Sequence, residues 1–114
     1  MWHSCIATEL DQNNSMLARM SVKPDSPWFS GHFPDEPILP GIAQLSMVTE
    51  ILQTVLGING SLQSVSRVKF KKIIRPDDIL DIKINRDKKE HHYSFKITSE
   101  QQEVCSGRLV LPPK

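Results

Sequence analysis

Cysteine is scarce in this 114-residue chain, and so are any excess of one charge and any long apolar run. The two cysteines, Cys5 and Cys105, stand far apart and make no metal-like spacing, so free thiols are favoured over a disulfide and a reducing, cytoplasmic setting is expected. Lys and Arg number 14 against 13 Asp and Glu, and this balance gives no pointer to nucleic acid. No apolar stretch approaches the roughly 20 residues that a spanning helix needs, so no membrane span is expected. The opening Met1-Trp2-His3-Ser4-Cys5 has neither the basic nor the apolar region of a signal peptide. Repeats, low-complexity tracts, linkers and cofactor or metal motifs are all missing, and residues 1–114 read as one domain with no cofactor.

What is present falls into an ordered series. Residues 4–10 and 15–23 read as two strands joined by the turn Asp11-Gln12-Asn13-Asn14, with Met16, Ala18, Met20 and Val22 alternating against Leu17, Arg19 and Ser21. A helix is predicted from about Gly41 to Leu56, stopped by Gly57 and the Asn59-Gly60 turn. Its wheel gathers Ile42, Leu45, Val48, Leu52, Val55 and Leu56 on one broad face, which Met47 and Ile51 widen. Ser46, Thr49, Glu50 and Gln53 form the remaining polar strip. Four strands follow, around Val68–Phe70, Leu80–Ile84, Tyr93–Ile97 and Glu103–Leu111. Pro76-Asp77-Asp78 is a tight turn, and Arg86-Asp87-Lys88-Lys89-Glu90 a solvated hairpin loop that leaves His91 and His92 exposed. A helix apolar on nearly all sides needs a sheet curled around it, and in a chain this small it also needs a second subunit.

Between the second strand and the helix lies the densest signal. Five of eight prolines (24, 27, 34, 37 and 40) fall in or just before Trp28–Gly41, which makes a stiff loop. His32 sits in its middle, and Pro40-Gly41 opens the helix, whose first amides suit a developing oxyanion. A base on a rigid loop beside a helix start outlines a site for acyl chemistry. Trp28 and Phe29 read as core or tunnel wall.

Phe29-Ser30-Gly31-His32-Phe33-Pro34, followed by Pro37-Ile38-Leu39-Pro40-Gly41, resembles the signature of the hot-dog-fold β-hydroxyacyl-(acyl-carrier-protein) dehydratases. Val68–Leu80 is similar to that family's strand-turn-strand block, with Asp77 where glycine is usual; Asp tolerates left-handed geometry better than most residues. The start of the chain is short relative to longer family members. The resemblance implies an α+β hot-dog fold, one long central helix wrapped by a curved antiparallel sheet of about six strands. It also implies dehydration of a carrier-bound 3-hydroxyacyl thioester to the trans-2-enoyl thioester, in fatty-acid or polyketide-type synthesis. His32 would remove the α-proton, the Gly41 amide would hold the carbonyl oxygen, and an acid five positions further on, from the partner protomer, would protonate the departing hydroxyl. Phe33 and Pro40 would line the substrate tunnel. A homodimer, or a larger homo-oligomer built from dimers, is implied.

The acid position carries Ser46, which hydrogen-bonds but does not act as a general acid near neutral pH. Glu50, one turn further on, is the alternative acid, with a half-exposed helix carboxylate as its plainer reading. Two further readings stay open: a hot-dog acyl thioesterase, and an acyl-thioester binding or accessory subunit without turnover. The basic run with Lys69, Lys71, Lys72 and Arg75 reads either as an edge strand protected by charge or as a docking patch for the acidic carrier protein.

Overall fold

The structure, a computed structural model, describes residues 4–10, 15–23, 41–57 and 60–112. Two strands come first, β1 (Ser4–Leu10) and β2 (Met16–Ser21), then the helix α1 (Gly41–Leu56). Four strands follow: β3 (Ser64–Phe70), β4 (Leu80–Arg86), β5 (His92–Ser99) and β6 (Gln102–Val110). They form one six-stranded sheet in the order β1-β2-β4-β5-β6-β3, with every neighbouring pair antiparallel. The chain therefore leaves β2, runs through the helix and re-enters the sheet at its far edge, as β3.

Alternation decides which face holds the helix. Met16, Ala18 and Met20 of β2, Leu80, Ile82 and Ile84 of β4, and Tyr93, Phe95 and Ile97 of β5 are all buried. In register they stack as Met16–Ile84–Phe95, Ala18–Ile82–Ile97 and Met20–Leu80. Between them Arg19, Asp81, Lys83 and Lys96 stay exposed, with Arg19 Nε donating to Asp81 Oδ1 at 2.8 Å across the β2–β4 ladder. A period of two with one apolar set per strand gives one dry face and one wet face.

The helix buries Ala43, Gln44, Met47, Val48, Ile51 and Leu52 against that dry face. This corrects the expected wheel: Leu45, Val55 and Leu56 are only half-buried, packed against the rim of the core, and the buried arc is centred on Met47 and Ile51. The side chain of Ile42 lies outside the described residues. One sheet reaches one side of a helical cylinder, so the apolar residues on the far side stay only part-covered within this chain. Gly57 ends the helix with φ +65°, the left-handed cap that glycine adopts without a Cβ clash. Gln53 Nε2 ties the same end down by donating to the Gly60 carbonyl at 2.7 Å.

β3 departs from simple alternation. The register slips between Ser66 and Lys69, and Arg67 takes φ +53°, so the strand carries a bulge and turns no fully buried face to the core. Half-buried Val68 touches the core, while Phe70 is 52% exposed. His91 and His92 also differ from expectation. Both are half-buried, because the hairpin folds back on itself: Asp87 N–H donates to the His92 carbonyl (2.9 Å), and Leu111 N–H to the His91 carbonyl (2.8 Å). Among the described residues no helix is long and apolar enough to cross a membrane.

The turn after β3 is built as its residues dictate. Asp78 N–H donates to the Arg75 carbonyl (3.2 Å) and Arg75 N–H to Asp78 Oδ2 (2.8 Å). Pro76 occupies the position that wants a fixed φ, and Asp77 follows at φ +66°. Its amide donates to the Val22 carbonyl at 2.8 Å and so anchors the turn on the end of β2. The left-handed region costs an L-residue about 1–2 kcal/mol. Asp77→Gly should therefore keep the fold and gain up to about 1 kcal/mol in urea unfolding, whereas Asp77→Val should lose about 1–2 kcal/mol.

Cys105 is a free, fully buried thiol in β6. Burial, and secondarily the carboxylate of Glu103, push its pKa up to about 11, so it stays a thiol at neutral pH. A raised folded-state pKa contributes stability that is complete below the ordinary value near 9 and is lost as pH climbs through 11. Stability measured from pH 8 to 11 should fall more steeply in the wild type than in Cys105→Ala.

Candidate functional site

The helix start is the chemical focus that the described residues contain. Gly41 opens α1, and no acidic side chain occupies the first turn, so the positive end of the helix is not neutralised from within. Gly41 is also crowded on one side. A Cβ built there would lie 2.6 Å from Cζ of Phe70 and 3.0 and 3.1 Å from its two Cε atoms. The last residue of β3 thus lays its ring over the first residue of the helix. Real Cβ atoms do not approach carbon that closely, so a larger residue at position 41 would displace the ring.

Ser46, Thr49, Glu50 and Gln53 run down the helix from that point, all half-buried and outside the arc pressed into the core. Thr49 Oγ1 donates to the Leu45 carbonyl at 2.9 Å, which occupies its hydroxyl on the helix itself. Ser46 lies on this half-buried strip, five positions after Gly41. Glu50 shares that strip one turn further from Gly41, about 6 Å along the axis. Sequence reasoning missed Gln44, a polar side chain only 3% exposed and set in the core-facing arc of the helix. Its position between Ala43 and Leu45 on the wheel was the available signal. The segment expected to form a stiff loop, with His32, Phe33 and Pro40 and with Trp28 and Phe29, lies outside the described residues.

The basic run divides. Lys69, Lys71, Lys72 and Arg75 are all exposed, at or just beyond the end of β3, and β3 is the outer strand of the sheet. Lys71 forms an ion pair with Glu103 of β6, and Lys96 of β5 approaches the same carboxylate at 3.6 Å. The hydrogen bond from Lys71 and the two positive charges hold the Glu103 carboxyl below the usual carboxylate range, against the opposing effect of burial. Lys72 donates to the Gln102 side chain. Lys69 extends from the strand beside Phe70 and, among the described residues, has no carboxylate within ion-pair distance. Phe70 at the end of β3, and Ile73 and Ile79 in the segment between β3 and β4, are large apolar residues left exposed.

Comparison with known proteins agrees with this architecture. A family profile described as ApeI-like, ApeI dehydratase, matches residues 8–108. The 3-hydroxyacyl-[acyl-carrier-protein] dehydratase FabZ of Pediococcus pentosaceus is 31% identical over 112 residues, covering 89% of this chain and 74% of that enzyme. The FabZ of Caldanaerobacter subterraneus is 31% identical over 90 residues, but the match spans only 61% of its length. Among solved structures, the dehydratase heterocomplex ApeI:P from Xenorhabdus doucetiae superposes with a TM-score of 0.86 at 33% identity, covering 97% of this chain and 98% of that one. One helix on a six-stranded antiparallel sheet, matched along nearly its whole length, is the hot-dog fold, and the chain belongs to the ApeI-like family of hot-dog dehydratases.

Proposed function

We propose that the chain, as a single hot-dog domain, dehydrates a 3-hydroxyacyl group carried as a thioester on an acyl carrier protein, giving the trans-2-enoyl thioester. The observation that carries this reading is the bare helix start at Gly41, walled by Phe70 and followed by a half-buried polar strip, in a chain of a dehydratase family.

The steps follow from ordinary acid–base chemistry. His32 takes the α-proton, as an imidazole that titrates near neutrality can. The electron pair moves to the thioester oxygen, which accepts a hydrogen bond from the Gly41 amide; one such preorganised donor stabilises the transition state by about 2.7–4 kcal/mol. The pair then returns to form the Cα–Cβ double bond, and the β-hydroxyl leaves with a proton as water. Phe33 and Pro40 line the tunnel in this reading. No electrons are exchanged with a redox partner, so no cofactor is called on.

Ser46 leaves that last proton without an acid of its own at the expected position. An ordered water held by the serine, or Glu50, are the donors within this chain. A second subunit is the other source. The free β3 edge and the exposed Ile73 and Ile79 favour its presence, and the solved relative from Xenorhabdus doucetiae is a heterocomplex. A homodimer covers the edge; a non-identical hot-dog partner both covers it and can bring a carboxylate. Lys69, Lys71, Lys72 and Arg75 are the docking surface for the carrier in this reading, with Lys71 already engaged by Glu103. A cytoplasmic setting, where carrier-bound acyl chains are built, fits the activity.

The test is an assay that follows both products by mass. Incubation with a carrier-bound 3-hydroxyacyl thioester should give loss of water with the thioester intact. Released thiol would instead favour the thioesterase reading, and neither product would favour a binding subunit. His32→Ala should abolish dehydration, and Ser46→Glu should raise it by about 10²-fold or more, the usual contribution of a positioned acid. Gly41→Ala keeps the amide but displaces the Phe70 ring. Its Cβ drives into the ring, so it should lose about 1–3 kcal/mol in urea unfolding and at least tenfold in kcat/KM.

A further inference from the structure

We infer that Phe70 is the specificity-determining wall of the acyl site, setting how much substituent is tolerated on the carbon next to the thioester carbonyl. The inference rests on the dehydratase reading and names what that site accepts. Three observations carry it. The ring tip lies 2.6 Å from where a Gly41 Cβ would stand, which by standard covalent geometry places it within about 5 Å of the Gly41 amide nitrogen. A carbonyl oxygen that accepts from this amide at about 2.9 Å brings its neighbouring carbons into the space beside the ring.

The second observation is how the residue is held. Phe70 sits opposite buried Cys105 in the β3–β6 ladder, and the next amide, Lys71 N–H, donates to the Val104 carbonyl at 2.8 Å. Its backbone is therefore held both at the ring-bearing residue and just after it. The third is exposure. A phenyl ring left 52% open at a strand end, against a helix start that has no side chain, offers an apolar face to a ligand rather than to the core. The buried residues of the sheet stack without it.

An unsubstituted α-carbon passes such a wall, and an α-methyl group meets it. One methyl-sized difference in a tight pocket discriminates by about 10- to 200-fold. The test uses acyl-pantetheine analogues with a methylene in place of the thioester sulfur, so that binding is read without turnover. Dissociation constants for the butanoyl and 2-methylbutanoyl forms are measured by calorimetry. The wild type should prefer the unbranched form by at least tenfold. Phe70→Ala should reduce the preference to about threefold or less, Phe70→Leu should give an intermediate value, and Phe70→Tyr should restore it. Phe70→Leu and Phe70→Tyr preserve an apolar body at the position and keep the result readable if the alanine variant is unstable. No preference in the wild type, or a preference that survives Phe70→Ala and Phe70→Leu, overturns the inference and leaves the dehydratase reading intact. Failure of the wild type to bind either analogue would instead remove the Gly41 amide as a thioester site, and both readings with it.

Discussion

A helix apolar over more than half its circumference, lying on a single sheet, sets the terms for the rest of the molecule. Ala43, Met47, Val48, Ile51 and Leu52 are satisfied by the inner faces of β2, β4, β5 and β6. Leu45, Val55 and Leu56 lie at the limit of what that sheet can reach. Burying apolar area contributes about 25 cal/mol per Å², so part-covered leucine and valine on a small domain are a standing drive toward further cover. The polar strip of Ser46, Thr49, Glu50 and Gln53 lies on the part-covered side of the helix, which in the proposed reading puts chemistry and assembly together.

The same geometry fixes the helix start. α1 leads into β3, an edge strand of the sheet, and the end of β3 comes back to where the helix began. Phe70 meets Gly41 there. The glycine has a steric cause as well as a chemical one, because any Cβ would collide with the ring. In the proposed reading the two causes serve one end: a bare amide for an oxyanion and an apolar wall beside it. The bulge at Arg67 and the lysines that follow keep this exposed edge from being a flat, uncharged template for aggregation.

Much of this could be read from the residues. The period-two runs in β2, β4 and β5 named the inner face, and Gly57 and the Pro76-Asp77 turn marked where elements stop, because each of these is a local property. The positive φ at Asp77 had its signal in an aspartate standing where glycine is usual. What could not be read depends on distant partners. The slip in β3 arises from pairing with β6, and Val68 and Phe70 look from their alternation like an inward face that the bulge takes away. The tilt of the helix's buried arc toward Met47 and Ile51 depends on where one sheet can reach, and the partial cover of His91 and His92 on backbone pairing with Asp87 and Leu111. The Phe70–Gly41 contact joins residues 29 apart in sequence, and no periodicity announces it. Gly41 was legible as the start of the helix, whereas Ser46 as the acid position and His32 with its loop rest on the family resemblance.

The central proposal is that the part-covered face of this helix, and with it the site, is completed by a second hot-dog subunit. The molar mass of the protein in solution at micromolar concentration, measured by light scattering, tests it most directly. The account predicts a mass of at least two chains, for this protein alone or together with a non-identical partner. A single-chain mass in a sample that still dehydrates its thioester would contradict it.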